Sequence, residues 1–138
     1  MAAPTTLRVA GQTSELARVR KAVSAWSAQA GLDEARTRRL QLAVDEAVAN
    51  AIEHGMTDTK RGRITIGGAI QNGEVTVTVR YRGDRFDPTA APTRPAADSI
   101  RQRAEHGYGL HLMRGLVDAA AYRYAKGINE VQLTKRQA

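Results

Sequence analysis

Residues 63–81 read RITIGGAIQNGEVTVTVRY, and the period of this stretch decides the fold class. Apolar side chains alternate with polar or small ones on both sides of Gln71-Asn72-Gly73, and Asn-Gly is a strong hairpin-turn signal. The stretch predicts two antiparallel strands. Upstream the period lengthens to that of a helix. Asp33 opens DEARTRRLQLAVDEAVANAIEHG, which predicts a helix running to Gly55. Before it, ELARVRKAVSAWSAQAG carries Leu16, Val19, Val23 and Trp26 at helical spacing, with Ser14 as N-cap and Gly31 as the stop. TTLRVAG, at 5–11, alternates and is β-branched, which predicts an edge strand.

Downstream, residues 82–106 hold Pro88, Pro92 and Pro95 and show no strand period. So long a run inside a compact domain reads as a lid or binding loop, placed here at about 89–106. GYGLHLMRGLVDAA, at 107–120, predicts a helix opened by glycines. AYRYAK and EVQLTK predict a second strand pair around a turn at Gly127-Ile128-Asn129. The result is one α+β domain over 1–138, with a four- or five-stranded, mixed but mainly antiparallel sheet and helices on one face.

At 138 residues the chain can bury roughly two thirds of its unfolded surface in one core. It has no cysteine, which excludes disulfides and thiolate zinc sites. His54, His106 and His111 are too scattered to predict a transition-metal centre. No apolar run approaches the roughly 18 residues of a membrane span, and no signal-peptide pattern opens the chain. The expected location is the cytoplasm, without membrane association. A net charge of +7 and a pI near 10.4 admit nucleic acid, an acidic protein or a phosphate ligand. Aromatic residues make up only 4% of the chain, so base stacking is poorly supplied and direct nucleic-acid binding is not expected.

Within the second helix, EAVANAIEHG places Glu46, Asn50 and His54 at i, i+4 and i+8. They border the apolar stripe of Leu40, Val44, Ala47, Val48 and Ala51. An acid, an amide and an imidazole in step at a core boundary read as a site, where a solvated face would carry charge pairs. His54 has two readings: it lines that site, or its charge complements the helix end. Two further pieces join it. RYRGDRFDP follows a strand and opens the long loop, and HGYGLHLMRGLVD leads Gly107 and Gly109 into a helix. Glycines at a helix start let backbone N–H groups approach a phosphate. Asn50 is a neutral oxygen ligand suited to Mg2+, and Glu46 suits a base acting on a hydroxyl.

In this order and spacing the chain resembles the anti-sigma-factor serine kinases. These are small stand-alone members of the ATPase superfamily shared with gyrase, histidine kinases and mismatch-repair proteins. EAVANAIEHG is similar to the family's N box, RGDRFDP to the end of its G1 box, and GYGLHLMRGLVD to its G2 box. The likeness spans nearly the whole chain. It implies a two-layer α/β sandwich of the histidine-kinase/gyrase-type (Bergerat) fold, with ATP and Mg2+ as cofactors. Asn50 would ligate Mg2+, Glu46 would be the catalytic base, and Gly107, Tyr108, Gly109 and Leu110 would cradle the phosphates. Tyr81, Gly83, Phe86, Asn129 and His54 would border the nucleotide. The implied partners are a sigma factor, a STAS-type anti-anti-sigma protein, or both, with a homodimer as the assembly.

Two departures bear on the activity. The family's G1 box has an Asp two residues before its Gly, accepting from the adenine amino group, and here Tyr81 stands there. Where the family often has a Thr after Gly, this chain has Ile128 and Asn129. The resemblance therefore leaves a second reading: a binding module that keeps the fold, has lost effective catalysis and sequesters a regulatory protein.

Overall fold

The alternation at 63–82 builds the centre of the sheet. β2 (Arg63–Gln71) and β3 (Glu74–Arg82) pair antiparallel from Ile64↔Tyr81 to Gln71↔Glu74. Asn72 and Gly73 turn between them with φ of 52° and 74°. This doubly left-handed geometry matches the twist of the flanking strands. Val75, Val77, Val79 and Tyr81 are buried, whereas Arg80 and Arg82 are exposed. The structure is a computed structural model that describes residues 5–10, 13–55, 62–87 and 115–138.

β1 (Thr5–Ala10) pairs with β2 and forms one edge, as expected. β4 (Ala119–Ala125) and β5 (Ile128–Arg136) form the second hairpin, giving a five-stranded sheet in the order β1-β2-β3-β5-β4. The four described pairings are all antiparallel. Two helices, α1 (Leu16–Ala30) and α2 (Glu34–Asn50), cover one face. Their Val19, Val23, Trp26, Leu40, Val44 and Val48 close over Val9, Ile64, Ile66, Val77, Val79 and Leu133. Burying one such side chain is worth ~1.5–3 kcal/mol, against ~0.2–0.5 kcal/mol for an exposed helical ion pair such as Arg38–Glu34. The core, not the surface charge, holds the helices down.

Helix ends follow local chemistry. Gly31, at φ 82°, ends α1, with Gly31 N–H donating to Ala28 O and Leu32 N–H to Ser27 O. This is a Schellman arrangement, and it turns Leu32 into the core. Asp33 caps α2 by accepting from Arg36 N–H at 2.8 Å, a bond that holds the Asp33 carboxyl below its ordinary range. Ser14 does not cap α1. A 3-10 turn at Thr13–Glu15 runs straight into the helix, and Glu15 is already right-handed helical, with no side-chain cap bond. A cap needs an extended residue there.

Two more expectations are corrected. The helix expected through Ala120 stops at Leu116, because Asp118 N–H donates to Thr134 O and Ala119 enters β4. The second hairpin turns at Lys126-Gly127, both left-handed, and not at 127–129. Ala125 pairs with Ile128, so Asn129 lies within β5 and points into the buried layer.

The approach of α1 to the sheet is set at Gly68 on β2. A Cβ added there would meet the Trp26 ring at 2.3 Å. Gly68→Ala is expected to destabilise the fold by about 1–3 kcal/mol, as overpacking does. Thermal denaturation should register this as a loss of roughly 3–4 °C per kcal/mol at this chain length. An unchanged melting temperature would show that the indole has room to move.

Candidate functional site

The site is built at the C-terminal end of α2 and along the sheet layer beside it. Past Asn50 the helix widens into a π-helical turn, Ala51–Gly55. Such turns depart from the i→i−4 ladder and recur at functional positions. Asn50 is buried, and its Nδ2 has no hydrogen-bond partner among the described residues. An orphaned buried donor costs about 1–3 kcal/mol. A phosphate or water oxygen would satisfy it, leaving Oδ1 to face a cation. Among the described residues no group of three or more His, Cys, Asp or Glu could hold a metal ion. A hard cation at this end of α2 would take Asn50 together with ligand and water oxygens, the habit of Mg2+. His54 falls on the π-helical turn, and its side chain lies outside the described residues.

Glu46, one turn earlier, is half-buried. It opens onto a cavity of about 310 Å³ lined by Leu16, Arg20, Leu42, Asp45, Ala49 and Leu116 as well. Burial, then the neighbouring Glu53 and Asp45 carboxylates, push the Glu46 carboxyl above its ordinary value. Asp45 is also raised by burial, although Arg20 Nε donates to its Oδ2 at 2.8 Å. The carboxylate therefore sits where a proton is held more readily than in water, beside a mostly apolar wall. That environment suits a proton acceptor more than a surface ion pair.

A second cluster lies on β3, β4 and β5. Tyr81 is buried opposite Asn129, and burial with Tyr122 nearby keeps its phenol neutral far beyond neutral pH. The position offers a neutral hydroxyl where a carboxylate would supply charge. Asn129 is spent on the protein itself. Its Nδ2 donates to Asp84 O at 2.8 Å, while its Oδ1 accepts from Phe86 N–H at 3.1 Å and from the Tyr122 hydroxyl. The Tyr124 hydroxyl donates to Gly83 O, Gly83 N–H donates to Gly127 O, and Arg85 stacks over the Tyr122 ring. Residues 83–86 are thus fastened to the β4–β5 hairpin.

Tyr122, Tyr124 and Arg85 were not foreseen from sequence. The available signal was the i, i+2 spacing in AYRYAK, which puts both tyrosines on the face that Asn129 shares. Asp84 contributes its backbone carbonyl here, and its side chain is exposed. Phe86 is half-buried and held through its N–H group. The expected phosphate cradle, Gly107, Tyr108, Gly109 and Leu110, and the lid at about 89–106 lie outside the described residues. The end of that segment is described: Leu116 O accepts from the buried Lys135 Nζ at 2.9 Å, and Asp118 Oδ2 accepts from Arg136 N–H at 2.7 Å.

Comparison with known proteins gives a consistent picture. A profile of the histidine kinase-like ATPase domain matches residues 9–135. The serine/threonine-protein kinase BtrW of Bordetella bronchiseptica is 32% identical over 99 residues, 72% of this chain and 70% of that protein. The serine-protein kinase RsbW of Bacillus subtilis is 28% identical over 134 residues, 94% of this chain and 82% of that one. Among solved structures, the RsbU and RsbW domains of Rv1364c from Mycobacterium tuberculosis superpose at a TM-score of 0.69 and 25% identity. That match covers 98% of this chain and 32% of the longer one. No helix among the described residues is long and apolar enough to cross a membrane.

Two outcomes follow from this geometry. Folded Glu46 binds its proton more tightly than the unfolded chain does, so its contribution favours the native state at low pH and is lost as pH rises through the raised value. Glu46→Gln should melt with the native protein below the ordinary value of 4.5 and increasingly above it as pH rises through the raised value. Melting curves that keep a constant offset across that range would contradict the burial argument. Asn129→Ala removes one of the two side-chain acceptors of Phe86 N–H and the side-chain donor to Asp84 O, and should cost about 1–3 kcal/mol. Amide exchange at Phe86 should then speed up more than at Val77 in the sheet centre.

Proposed function

The chain belongs to the histidine kinase-like ATPase domain family, and from that premise we propose that it is an ATP- and Mg2+-dependent serine-protein kinase acting on a regulatory protein partner. The observation that carries this reading is the buried Asn50 Nδ2 with no partner among the described residues, one helical turn from a half-buried Glu46 raised in pKa. Asn50 would hold the metal and contact phosphate oxygen. Glu46 would accept the proton of the partner's serine hydroxyl as that oxygen is phosphorylated. A carboxylate raised toward the working pH holds that proton better than an ordinary one. Bound ATP with Mg2+ supplies the phosphoryl group and the charge neutralisation, so most of the protein's task is positioning. Gly107, Tyr108, Gly109 and Leu110 would present backbone N–H groups to the phosphates, under a lid at about 89–106. The cavity beside Glu46, with the exposed Leu42 at its rim, offers the partner a place to present its serine. The motif resemblance to the anti-sigma-factor serine kinases adds a partner-switching role to the kinase activity that the relatives' names state, with a sigma factor and a STAS-type protein as the molecules exchanged, a homodimer as the assembly and the cytoplasm as the location.

A second reading has its own support. Tyr81 offers a neutral phenol, and Asn129 is engaged by residues 84 and 86, so the base-reading end is less open to a nucleotide than the phosphate end. On this reading the chain holds its partner by surface contacts and has weak or no catalysis.

Calorimetric titration with ATP, with and without Mg2+, separates the two. The kinase reading expects binding in the micromolar range that needs Mg2+ and is lost in Asn50→Ala. Tyr81→Asp should leave affinity unchanged or raise it, by as much as ~5- to 150-fold if a charge-assisted bond worth about 1–3 kcal/mol is restored. No heat at millimolar ATP, with partner binding intact in Asn50→Ala, would retire the kinase in favour of the module.

A further inference from the structure

The helices cover one face of the sheet, and the other face carries an unusual charge pattern. One row crosses the strands as Arg8, Thr65, Arg80, Glu130 and Arg123. Arg63 and Arg82 stand in the adjoining row, just beyond the Ile64↔Tyr81 pair, on neighbouring strands. Arg8, Arg63, Arg80 and Arg82 are all exposed and line one cavity of about 460 Å³, and no acidic residue is among its described lining. The carboxylate in the same row, Glu130, is committed. Glu130 Oε1 lies 3.3 Å from Arg80 Nε, and its Oε2 lies 3.2 Å from an Arg123 terminal nitrogen. Arg63 is engaged, with a bond to Gly62 O among its contacts, and Arg8 and Arg82 are the two lining arginines with no ion pair among the described residues.

Like charges on adjacent strands destabilise a sheet, and a surface that served only solubility would intersperse both signs. Arg8 and Arg82 break the local rule with no compensating carboxylate among the described lining residues, which is the mark of a site shaped by a ligand. We propose that the arginine-lined cavity on the outer face of the sheet is the docking site for an extended, carboxylate-rich segment of a partner protein. Guanidinium groups take carboxylates in bidentate pairs, and Arg80 and Arg82 repeat at the two-residue spacing of side chains along an extended peptide. Nucleic acid fits less well. Tyr81 borders the cavity but is buried, and Tyr81, Tyr122 and Tyr124 alternate onto the helix-covered face, so no exposed aromatic ring among the described lining residues stacks a base. A second copy of the chain fits less well again, since an isologous contact would set arginines against arginines. The site is separate from Glu46 and Asn50 and does not depend on the kinase reading.

The test is fluorescence anisotropy with a labelled hexaglutamate peptide, at low salt and again at about 0.3 M salt, where the screening length is much shorter. Binding should weaken at least about fivefold with salt, and about tenfold or more in the double variant Arg8→Glu/Arg82→Glu. Arg18→Glu/Arg38→Glu, on the helix side, should bind as the native chain does. Should the double reversal fail to fold, Arg8→Gln and Arg82→Gln singly replace it, each expected to weaken binding about threefold. No peptide binding at low salt, equal binding by the outer-face variants, or tighter binding of a labelled oligothymidylate than of hexaglutamate would each overturn the proposal.

Discussion

The contact between Trp26 and Gly68 sets the spacing on which the rest of the molecule depends. An indole pressed onto a strand needs a position without a Cβ, and β2 supplies one under α1. With α1 seated there, the Schellman turn at Gly31 and the cap at Asp33 return the chain at once as α2. Two helices joined by so short a connection have little freedom in how they lie. The axial position and rotation of α2 then decide which of its side chains face the sheet and which face the cleft. Ala43, Val44, Ala47 and Val48 go to the core, Glu46 to the cavity and Asn50 to a buried end. A functional constellation on a helix inherits its precision from packing of this kind.

The two halves of the site differ in how finished they are without a ligand. At the helix end, a buried amide nitrogen is unsatisfied by the described residues and a carboxylate is displaced from its ordinary pKa, so binding of oxygen and transfer of a proton both have something to relieve. At the sheet end the opposite holds. Asn129 and Tyr122 consume one another, and with Tyr124 they take up the backbone of residues 83–86. Networks of this sort rigidify their surroundings, and the same satisfaction that stabilises them leaves little capacity for a newcomer. The balance between kinase and binding module is a balance between these two ends.

The sheet separates two chemistries. Its inner face is apolar and carries the site, and its outer face carries arginines at two-residue spacing with one carboxylate shared between two of them. The pleat makes this separation automatic: Tyr81 points inward because Arg80 and Arg82 point outward. A one-residue slip of β3 would exchange both faces together.

Much of this architecture was legible in the chain alone. Alternation at 63–81 and 130–135, helical spacing at 16–30 and 34–50, and Asn-Gly at the first hairpin are local patterns whose physics is local, and each element formed where its pattern lies. The row Glu46, Asn50 was legible for the same reason, as a helix puts every fourth residue on one side. Three things needed the tertiary structure. Ser14 reads as a cap, but a 3-10 turn supplies the helix entry. Residues 119–120 are helix-compatible alanines, yet ladder bonds to β5 take them into a strand. Asn129 reads as a turn residue until Val131 and Leu133 bury and carry it inward with them. Sequence by itself determined the elements, because backbone preference and hydrophobic period act over a few residues. Partnership was decided only in three dimensions: which amide is left unsatisfied, which carboxyl is desolvated and which arginines crowd one another depend on residues tens of positions apart, brought together by register and packing.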